Sequence, residues 1–406
     1  MAAGSLSMTS RLLLVAVGLV VVGVGCSSDE DVTASGPAGD GDLPTVTVPQ
    51  VEESPREDVP SALDSMDAPE LPDPLVETSE IRSGGPPPDG IPPIDDPVFH
   101  EAGDVDFLAD DEPVLAVEVD GDARAYPVQI LMWHEIVNDT FGDRPVTITY
   151  CPLCNTAVAF DRRLDDGRVL SFGTSGRLFN SSLVMYDRQT ESLWAHFNGE
   201  ALAGVFAGDR LDRLPVQTIS WQSWFADHPE GLVLSRDTGE DRDYGRNPYQ
   251  GYDDPDSFPF LFDGEVDDRL AAKERLVGFG LDIDPTAVLL EPLLDAGVLH
   301  TELDGQPVVV WAERGTSSAL ETSRVDGGRD VGATGVFAAT VDGEVLEFER
   351  TDDGFVDDRT GSTWNVVGSA ISGPLEGTQL DALEHVDTFW FAWAAFSPDT
   401  RVLPES

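Results

Sequence analysis

Two stretches of the chain, residues 116–234 and 277–403, can be aligned with each other at an offset that drifts from about 161 to about 170. Chance does not keep many Trp, Gly and Pro positions in one register, and the period is too long for a solenoid repeat. The chain is therefore expected to fold as two homologous halves packed as a pseudo-dimer. The coinciding positions are Trp194 with Trp364, Gly204 with Gly373, Gly208 with Gly377, Trp221 with Trp390, Trp224 with Trp393, and Pro229 with Pro398.

Short extended segments fill both halves. Val114–Val119 and Val146–Tyr150 are runs rich in β-branched residues, which favour strands. Asp120-Gly121 and Asp342-Gly343 are the dipeptides that two-residue hairpin turns prefer. Both halves are therefore expected to be built mainly from hairpins.

Helical periodicity appears at residues 127–138 and around residues 221–227. With so little helix among so many strands, the fold class is predicted to be α+β and β-rich. The first repeat is placed at about 99–250 and the second at about 270–406.

The N-terminal segment has the pattern of an export signal. Arg11 precedes the apolar run Leu12–Gly25, which ends at Cys26 and gives way to acidic residues. The run is too short for a comfortable membrane span and fits a signal peptide over residues 1–25, starting at Met1 or Met8. A cysteine directly after the run resembles the lipobox of bacterial lipoproteins, whose cysteine is lipidated.

Gly23 stands where the lipobox prefers Leu, Val or Ile, so a plain secretory signal with an incidental cysteine is the alternative. With Cys26 lipidated, the protein is expected to be exported and anchored to the outer face of the cell membrane.

The stretch that follows is acidic and rich in proline. Residues 27–98 contain 14 of the 29 prolines, 18 acidic residues and two arginines. Such a sequence has too little apolar surface to offset the entropy lost on ordering, and its like charges extend it. Residues 26–84 are therefore predicted to be a disordered tether, and residues 85–406 to be the folded domain.

Net charge excludes one large class of partners. The chain carries 76 acidic against 24 basic residues, a formal charge of −52. A nucleic-acid-binding protein needs a cationic face to displace counterions, so no nucleic-acid partner is expected. The same charge repels anionic lipid, so the membrane is a partner only through the lipid anchor.

Two cysteines form the motif Cys151-Pro152-Leu153-Cys154 at the end of a predicted strand. In an exported protein this pair has three sensible fates: a structural disulfide, a redox pair, or two soft ligands for copper or zinc. A thioredoxin-like fold would continue into a helix, whereas residues 155–160 are β-branched and look like the second strand of a hairpin. That weakens a thioredoxin-like fold without excluding redox chemistry.

A metal site at the cysteines needs at least one more ligand. Histidine occurs only six times in the chain, and His134 lies in the half that carries the cysteines. Glu135 could orient the His134 ring from behind, and His196 is a weaker fourth candidate. The predicted ligands are therefore Cys151, Cys154 and His134, for copper or zinc.

The chain carries the motifs Asp89-Gly-Ile-Pro92, Trp133-His-Glu-Ile-Val-Asn-Asp139, Cys151-Pro-Leu-Cys154 and Phe389-Trp-Phe-Ala-Trp393. With several others, these motifs resemble the DUF3179 family of exported bacterial and archaeal proteins. The resemblance runs from about residue 85 to the C-terminus and implies no reaction, because the family is one of unknown function. It also places Lys273, the only lysine, at the start of the second half, where an exposed charge is the simplest expectation. The other motifs are Ala123-Arg-Ala-Tyr-Pro127, Gly173-Thr-Ser-Gly176, Asp187-Arg-Gln-Thr190 and Arg242-Asp-Tyr-Gly-Arg246.

Three functions follow from the sequence. The first is a surface lipoprotein that binds a soft or borderline metal, copper preferred, through Cys151, Cys154 and His134. The second is a thiol–disulfide oxidoreductase in which Cys151 attacks and Cys154 resolves. The third is a non-catalytic envelope interaction module in which the two cysteines form a structural disulfide.

Overall fold

A computed structural model describes residues 43–404 of the 406-residue chain. The predicted signal peptide, Cys26 and the tether residues before 43 lie outside the described residues. Within residues 43–404 the protein is β-rich with four short α-helices, as expected for the fold class. None of the helices in this range has the length and apolar character needed to cross a bilayer.

Three sheets are built mainly from the first half. One has six strands, in the order Val46–Thr47, Val98–Glu101, Leu232–Leu234, Asp122–Pro127, Pro113–Val119 and Gln217–Ser220. A second has five, in the order Ala201–Ala203, Leu193–Ala195, Ser182–Asp187, Phe172–Phe179 and Arg82–Ser83. A third has four, in the order Arg213–Leu214, Thr156–Asp161, Arg144–Cys151 and Ile136–Phe141.

Four further sheets come from the second half. A four-stranded sheet runs His385–Phe389, Arg275–Phe279, Thr286–Leu289, Arg401–Leu403, and a three-stranded sheet runs Val298–Leu303, Gln306–Glu313, Ala333–Ala338. A two-stranded hairpin pairs Thr340–Val341 with Glu344–Val345. The last sheet runs Phe348–Thr351, Gly354–Asp357, Thr363–Trp364, Ala370–Ser372.

The helices α1 to α4 have seven residues each and span Val128–His134, Trp221–Asp227, Leu290–Ala296 and Trp390–Phe396. The helical pattern predicted for residues 127–138 ends earlier, because Glu135 adopts a left-handed conformation (φ 59°) and residues 136–141 form a strand. At α2 the prediction is confirmed, and the hydroxyl of Ser220 caps the helix by accepting from the Ser223 amide at 3.1 Å.

Both predicted hairpin turns are present. Asp120 and Gly121 have positive φ angles of 52° and 84°, and Asp342 and Gly343 have φ angles of 52° and 80°. Positive φ at both central residues is the requirement of a type I′ turn, whose twist matches that of the flanking strands. The strands on either side of each turn pair antiparallel, as the dipeptides predict.

The core joins the two halves of the sequence. The largest buried cluster contains Tyr126 and Ile148 from the first half together with Trp390 and Trp393 from the second. A second cluster combines Trp224 with residues of the second half such as Trp311 and Trp364. The two largest clusters therefore draw on both halves, whereas the buried residues of two smaller clusters each come from one side of the sequence, 277–336 and 62–203.

One hydrogen-bond network occurs twice along the chain. Asp187 accepts from the indole of Trp194 at 2.9 Å, and Asp357 accepts from the indole of Trp364 at 3.1 Å. At both places the carboxylate also accepts backbone and hydroxyl hydrogen bonds from a Thr three residues later and a backbone bond from a Ser five residues later, namely Thr190 and Ser192 in one case and Thr360 and Ser362 in the other.

Residues 43–84 differ from the predicted tether. They pack on the domain: Val46–Thr47 and Arg82–Ser83 add edge strands to two sheets, and Ala62, Leu71 and Ile81 are buried. Unpaired backbone groups at a sheet edge are satisfied by an added strand, and a few spaced apolar residues suffice to hold such a strand in place. The disorder predicted for this part of 26–84 is therefore wrong.

Hydrogen exchange tests the packing of this segment. The Ser54 amide donates to the Val169 carbonyl at 2.9 Å, and the Glu57 amide donates to the Gln189 carbonyl at 2.7 Å. We expect both amides to exchange at least about a hundredfold more slowly than in an unstructured peptide, because exchange requires the segment to detach. Exchange at the rate of an unstructured peptide, measured by two-dimensional NMR, would show that this segment is free.

Candidate functional site

The two cysteines of the motif lie at the turn of a hairpin. Cys151 ends the strand Arg144–Cys151 and pairs with Thr156, the first residue of the next strand. Asn155 closes the turn with a φ of 53°, a conformation that Asn tolerates better than most residues. The hairpin expected after Cys154 is confirmed, and the chain does not continue into a helix there.

Both cysteines are free thiols and are buried. The sulfur of Cys154 lies 3.6 Å from the Ser182 hydroxyl oxygen. The thiol of Cys151 is within hydrogen-bond contact of the Cys154 thiol. The second half holds the turn from the other side, because the Thr388 hydroxyl and the Phe389 amide donate to the Cys154 carbonyl at 3.0 and 3.2 Å.

The pKa values of the two thiols shift in opposite directions. Burial and the contact with Cys154 raise the pKa of Cys151 well above its ordinary value. Burial would raise the pKa of Cys154 too, but hydrogen bonds from Cys151, Thr156 and Ser182 outweigh it and lower that pKa. Cys154 is therefore the thiol that ionises first, stabilised as a thiolate by its neighbours.

His196 approaches the cysteines through Ser182. The Nδ1 atom of His196 lies 3.4 Å from the Ser182 hydroxyl oxygen, and its Nε2 atom is buried without a hydrogen-bond partner in residues 43–404. Burial lowers the pKa of His196 to about 4, against a smaller opposing effect of Cys151. The imidazole is therefore neutral at physiological pH, and it is the histidine that the fold brings towards the thiols.

His134 is held elsewhere. Its Nδ1 atom lies 2.6 Å from the Pro92 carbonyl oxygen, and its Nε2 atom lies 2.6 Å from the Tyr244 hydroxyl oxygen. Pro92 and Tyr244, rather than Glu135, therefore orient the ring.

The predicted three-ligand site is not assembled. In the part of the chain that the structure describes, no group of three or more His, Cys, Asp or Glu side chains is arranged to hold a metal. With both ring nitrogens of His134 already hydrogen-bonded to other groups, Cys151, Cys154 and His134 do not fit a shared metal ion.

Glu135 faces Cys151 instead of the histidine. It directly follows α1, and only 7% of its surface is exposed. Within residues 43–404 its carboxyl group has no hydrogen-bond partner. Burial, and then the proximity of Cys151, raise its pKa well above the ordinary value, so the side chain is held as the neutral acid.

The Glu135 side chain lines a cavity of about 350 Å³. Leu153, between the two cysteines in the sequence, lines the same cavity. The remaining wall is largely apolar and is formed by Ile91, Leu178, Leu183, Tyr249, Tyr252 and Phe260, with Arg177 among the few polar residues. A concave, mainly apolar space with one unpaired acid beside two thiols is the usual form of a small-molecule site.

The Gly173-Thr-Ser-Gly176 segment shapes this cavity because it lets the chain around Pro86 pack closely against it. Thr174 and Gly176 line it, and Gly176 has a φ of 69°. A Cβ atom on Gly176 would lie 1.9 Å from the Pro86 carbonyl oxygen. Only glycine therefore allows the two chain segments to approach so closely.

Lys273 contacts Tyr252, another residue of the cavity wall. It is buried, whereas the sequence predicts an exposed charge. Its ammonium group lies 3.5 Å from the centre of the Tyr252 ring and donates to the Ser257 hydroxyl at 2.7 Å. Burial lowers the pKa of Lys273 to about 8. The single lysine thus fixes a tyrosine that lines the cavity.

Sequence reasoning missed Ser182, the cavity and the role of Glu135. The pairing of strands 172–179 and 182–187 brings Ser182 to the cysteines, and no local pattern signals that contact. The adjacency of His134 and Glu135 in the sequence favours a joint role, but with Glu135 in the left-handed conformation the two side chains point in different directions.

Comparisons with known proteins give a family and no activity. No curated protein matches the chain significantly, and no solved structure does. The model of the family described as proteins of unknown function (DUF3179) matches residues 88–400, which is most of the chain and includes both cysteines, Glu135 and all of the cavity lining except Gly84 and Pro86. The chain therefore belongs to the DUF3179 family.

Proposed function

We propose that Cys151 and Cys154 form a thiol–disulfide redox centre. The observation that carries the proposal is the contact between two thiols whose pKa values are shifted in opposite directions. A reactive pair needs one thiol that ionises readily and one that stays protonated until the second step. The order of roles is the reverse of the one expected from the sequence: Cys154 attacks and Cys151 resolves.

In the reducing direction, the Cys154 thiolate attacks one sulfur of a substrate disulfide. A mixed disulfide forms, and the other substrate sulfur leaves as a thiolate. Cys151 then loses its proton, attacks the Cys154 sulfur, and releases the second substrate thiolate. The pair ends as a disulfide, the substrate disulfide ends as two thiols, and two electrons have passed from protein to substrate.

Access to the pair is narrow. Only 1% of Cys151 and none of Cys154 is exposed, so bulk solvent does not reach the sulfurs directly. Neither cysteine lines the cavity itself, but Glu135 and Leu153 of its wall adjoin the pair, so we place the approach of a substrate on this side. Glu135 is placed to exchange a proton with Cys151 when that thiol must ionise.

The pH dependence of alkylation tests the assignment of Cys154. Reduced protein treated with iodoacetamide and analysed by peptide mass spectrometry is expected to be modified first at Cys154. Ser182→Ala removes one donor to the thiolate, so the pKa of Cys154 rises and its rate profile moves to higher pH. Thr149→Ala removes a buried hydroxyl that donates to the Val158 carbonyl in the same sheet, and should leave the profile in place.

Two results would contradict the redox centre. One is a Cys154 profile that does not lie below that of Cys151. The other is a pair whose oxidation state stays fixed in glutathione buffers that span reducing to oxidising conditions.

We also propose that the protein is exported and lipid-anchored at Cys26. The support is the sequence of residues 1–31: Arg11, the apolar run 12–25, the cysteine and the acidic residues that follow. Labelling of the wild-type chain with radioactive palmitate, lost in Cys26→Ala, tests the anchor. An unlabelled wild-type chain would leave only a secretory signal.

Duplication of an ancestral half is a further proposal about origin. It is supported by the sequence register, by the repeated Asp-Thr-Ser-Trp hydrogen-bond network and by cores that draw on both halves. The first half then keeps the thiols, while Glu313 and Thr316 stand at the aligned positions of the second.

A further inference from the structure

The cavity beside the thiol pair has the chemistry of a ligand site. Its volume of about 350 Å³ is near the lower end of small-molecule sites, which run from about 300 to 1,000 Å³. Tyr249, Tyr252 and Phe260 give it aromatic surface, and Phe260 is 51% exposed at its edge. An exposed aromatic side chain beside an apolar wall favours a small, flat, mainly apolar ligand.

The polar groups of the cavity restrict the ligand further. Arg177 donates to the Leu63 carbonyl at 2.7 Å and contacts the Met66 sulfur, so both terminal nitrogens of its guanidinium already have a contact within the protein. Glu135 is buried and unpartnered, and an unpaired carboxylate in apolar surroundings is strongly disfavoured. As a neutral acid it offers one O–H donor, which calls for a neutral acceptor such as a carbonyl oxygen.

The position of the cavity near the thiol pair also restricts the reactivity of its ligand. Neither cysteine lines the cavity, but Leu153 of its wall lies between them in the sequence, and Glu135 is close enough to Cys151 for that thiol to raise its pKa. A ligand in the cavity is therefore separated by these wall residues from two thiols that can give up two electrons and two protons together. A flat, neutral carbonyl compound that accepts two electrons and two protons is a quinone. We propose that the cavity binds a small quinone, with one carbonyl oxygen accepting from Glu135, and that this quinone oxidises the Cys151–Cys154 pair.

The reaction balances without another reactant. Two S–H bonds break and one S–S bond forms, while two O–H bonds form on the quinone, which leaves as the hydroquinone. Glu135 gives its proton to the quinone oxygen and recovers one from Cys151. The second proton comes from Cys154, or from solvent when Cys154 is ionised. Oxidation of the thiol pair rests on the proposed redox centre, whereas quinone binding needs the cavity alone.

Binding is tested with duroquinone, whose ring carbons are all methylated and resist addition of thiols. The protein for this test is the full chain with Cys151→Ser and Cys154→Ser, so that no redox step intervenes, and the measurement is titration calorimetry. Ile91→Trp in this background places bulk in the cavity and is expected to weaken binding about tenfold or more. Ile283→Trp adds the same bulk at a residue that is 67% exposed and outside the cavity, and should change nothing.

Glu135 variants test the hydrogen bond. Glu135→Leu removes the donor and should weaken duroquinone binding about five- to tenfold. Glu135→Gln keeps an N–H donor and should bind within about threefold of the parent. The melting temperature of each variant shows whether it is folded, and the Gln variant keeps the test decisive if the Leu variant is not.

The pH dependence separates a quinone from a cationic ligand. The groups facing Glu135 are Cys151 and Tyr249, with Tyr252 and Arg177 elsewhere in the wall. Burial raises the pKa of Tyr252 to about 12 and that of Tyr249 further, so neither tyrosine ionises in the neutral range. Burial also raises the pKa of Glu135 above its ordinary value. Binding should fall as rising pH ionises Glu135, and this fall should vanish in Glu135→Gln.

Oxidation is tested on the wild-type chain. Reduced protein mixed with duroquinone without oxygen should yield one disulfide and one hydroquinone per chain, followed by absorbance and by thiol titration. Absence of binding, binding unaffected by Ile91→Trp, or binding without thiol oxidation each overturns the inference. If the pair still exchanges with glutathione in those cases, the redox centre stands; a pair inert to both reagents removes the redox centre as well.

Discussion

Replacing Asp139 by alanine is expected to lower the free energy of unfolding by about 3 kcal/mol, because it removes the fully buried carboxylate that pairs with Arg124 and leaves the guanidinium only the partly exposed Asp122. Asp139 is fully buried and Arg124 is 2% exposed, with 2.7 Å between the guanidinium and the carboxylate. The same carboxylate accepts from the Tyr126 hydroxyl at 2.5 Å and the Thr140 amide at 2.7 Å. Urea unfolding followed by tryptophan fluorescence measures the loss.

A surface pair provides the control. Glu344 pairs with Arg359, and its side chain is 61% exposed, so Glu344→Ala should cost at most about 1 kcal/mol. A double-mutant cycle with Arg124→Met and Asp139→Leu isolates the interaction. Removing both charges should cost less than the sum of the single changes, since no fully buried charge is then left unpaired and the remaining Asp122 is 37% exposed. An Asp139→Ala variant within 1 kcal/mol of the wild type would contradict the argument.

The Arg124–Asp139 pair matters for the site because of where it lies. Asp139 is in the strand 136–141, which directly follows Glu135 and pairs with the cysteine-bearing strand Arg144–Cys151. The Arg162 guanidinium, directly after the strand Thr156–Asp161 of the same sheet, donates to the Asp139 carbonyl at 2.9 Å. The network therefore helps to hold Glu135 and Cys151 in register. Loss of the Arg124–Asp139 pair would be expected to displace both residues.

Local chemistry made part of this structure predictable. The dipeptides Asp120-Gly121 and Asp342-Gly343 specify hairpins by their backbone conformation alone, and the β-branched residues after Cys154 favour a strand. The alternation of such short segments is enough to predict a β-rich fold. These features depend on residues close together in the sequence, which single-sequence reasoning treats well.

Non-local packing decided the rest. His134 ends the helix α1, close in sequence to the sheet that carries the cysteines. Its ring is nevertheless held by Pro92 and Tyr244, which are 42 and 110 residues away in the sequence. His196 reaches the thiols only through the pairing that positions Ser182. The edge strand at Val46–Thr47 also depends on a partner about 50 residues later, which composition cannot reveal.

The largest functional effect is expected at the two cysteines. Cys154→Ser should abolish reduction of a small disulfide such as oxidised glutathione, because serine oxygen is not a nucleophile at neutral pH in this setting and the remaining Cys151 thiol has a raised pKa. Cys151→Ser should behave differently: Cys154 still attacks, but no resolving thiol follows. The mixed disulfide should therefore accumulate and be visible as a mass increase on the intact chain.

The contrast between the two variants separates a redox pair from a structural disulfide. In a structural pair both substitutions act alike, through stability alone, and neither traps a substrate. Hydrogen bonds from Cys151, Thr156 and Ser182 stabilise the thiolate of Cys154 and not that of Cys151. They therefore favour the asymmetric outcome. Trapping at Cys151 in the Cys154→Ser chain, or at neither cysteine, would show that the hydrogen bonds around Cys154 do not set the order of attack.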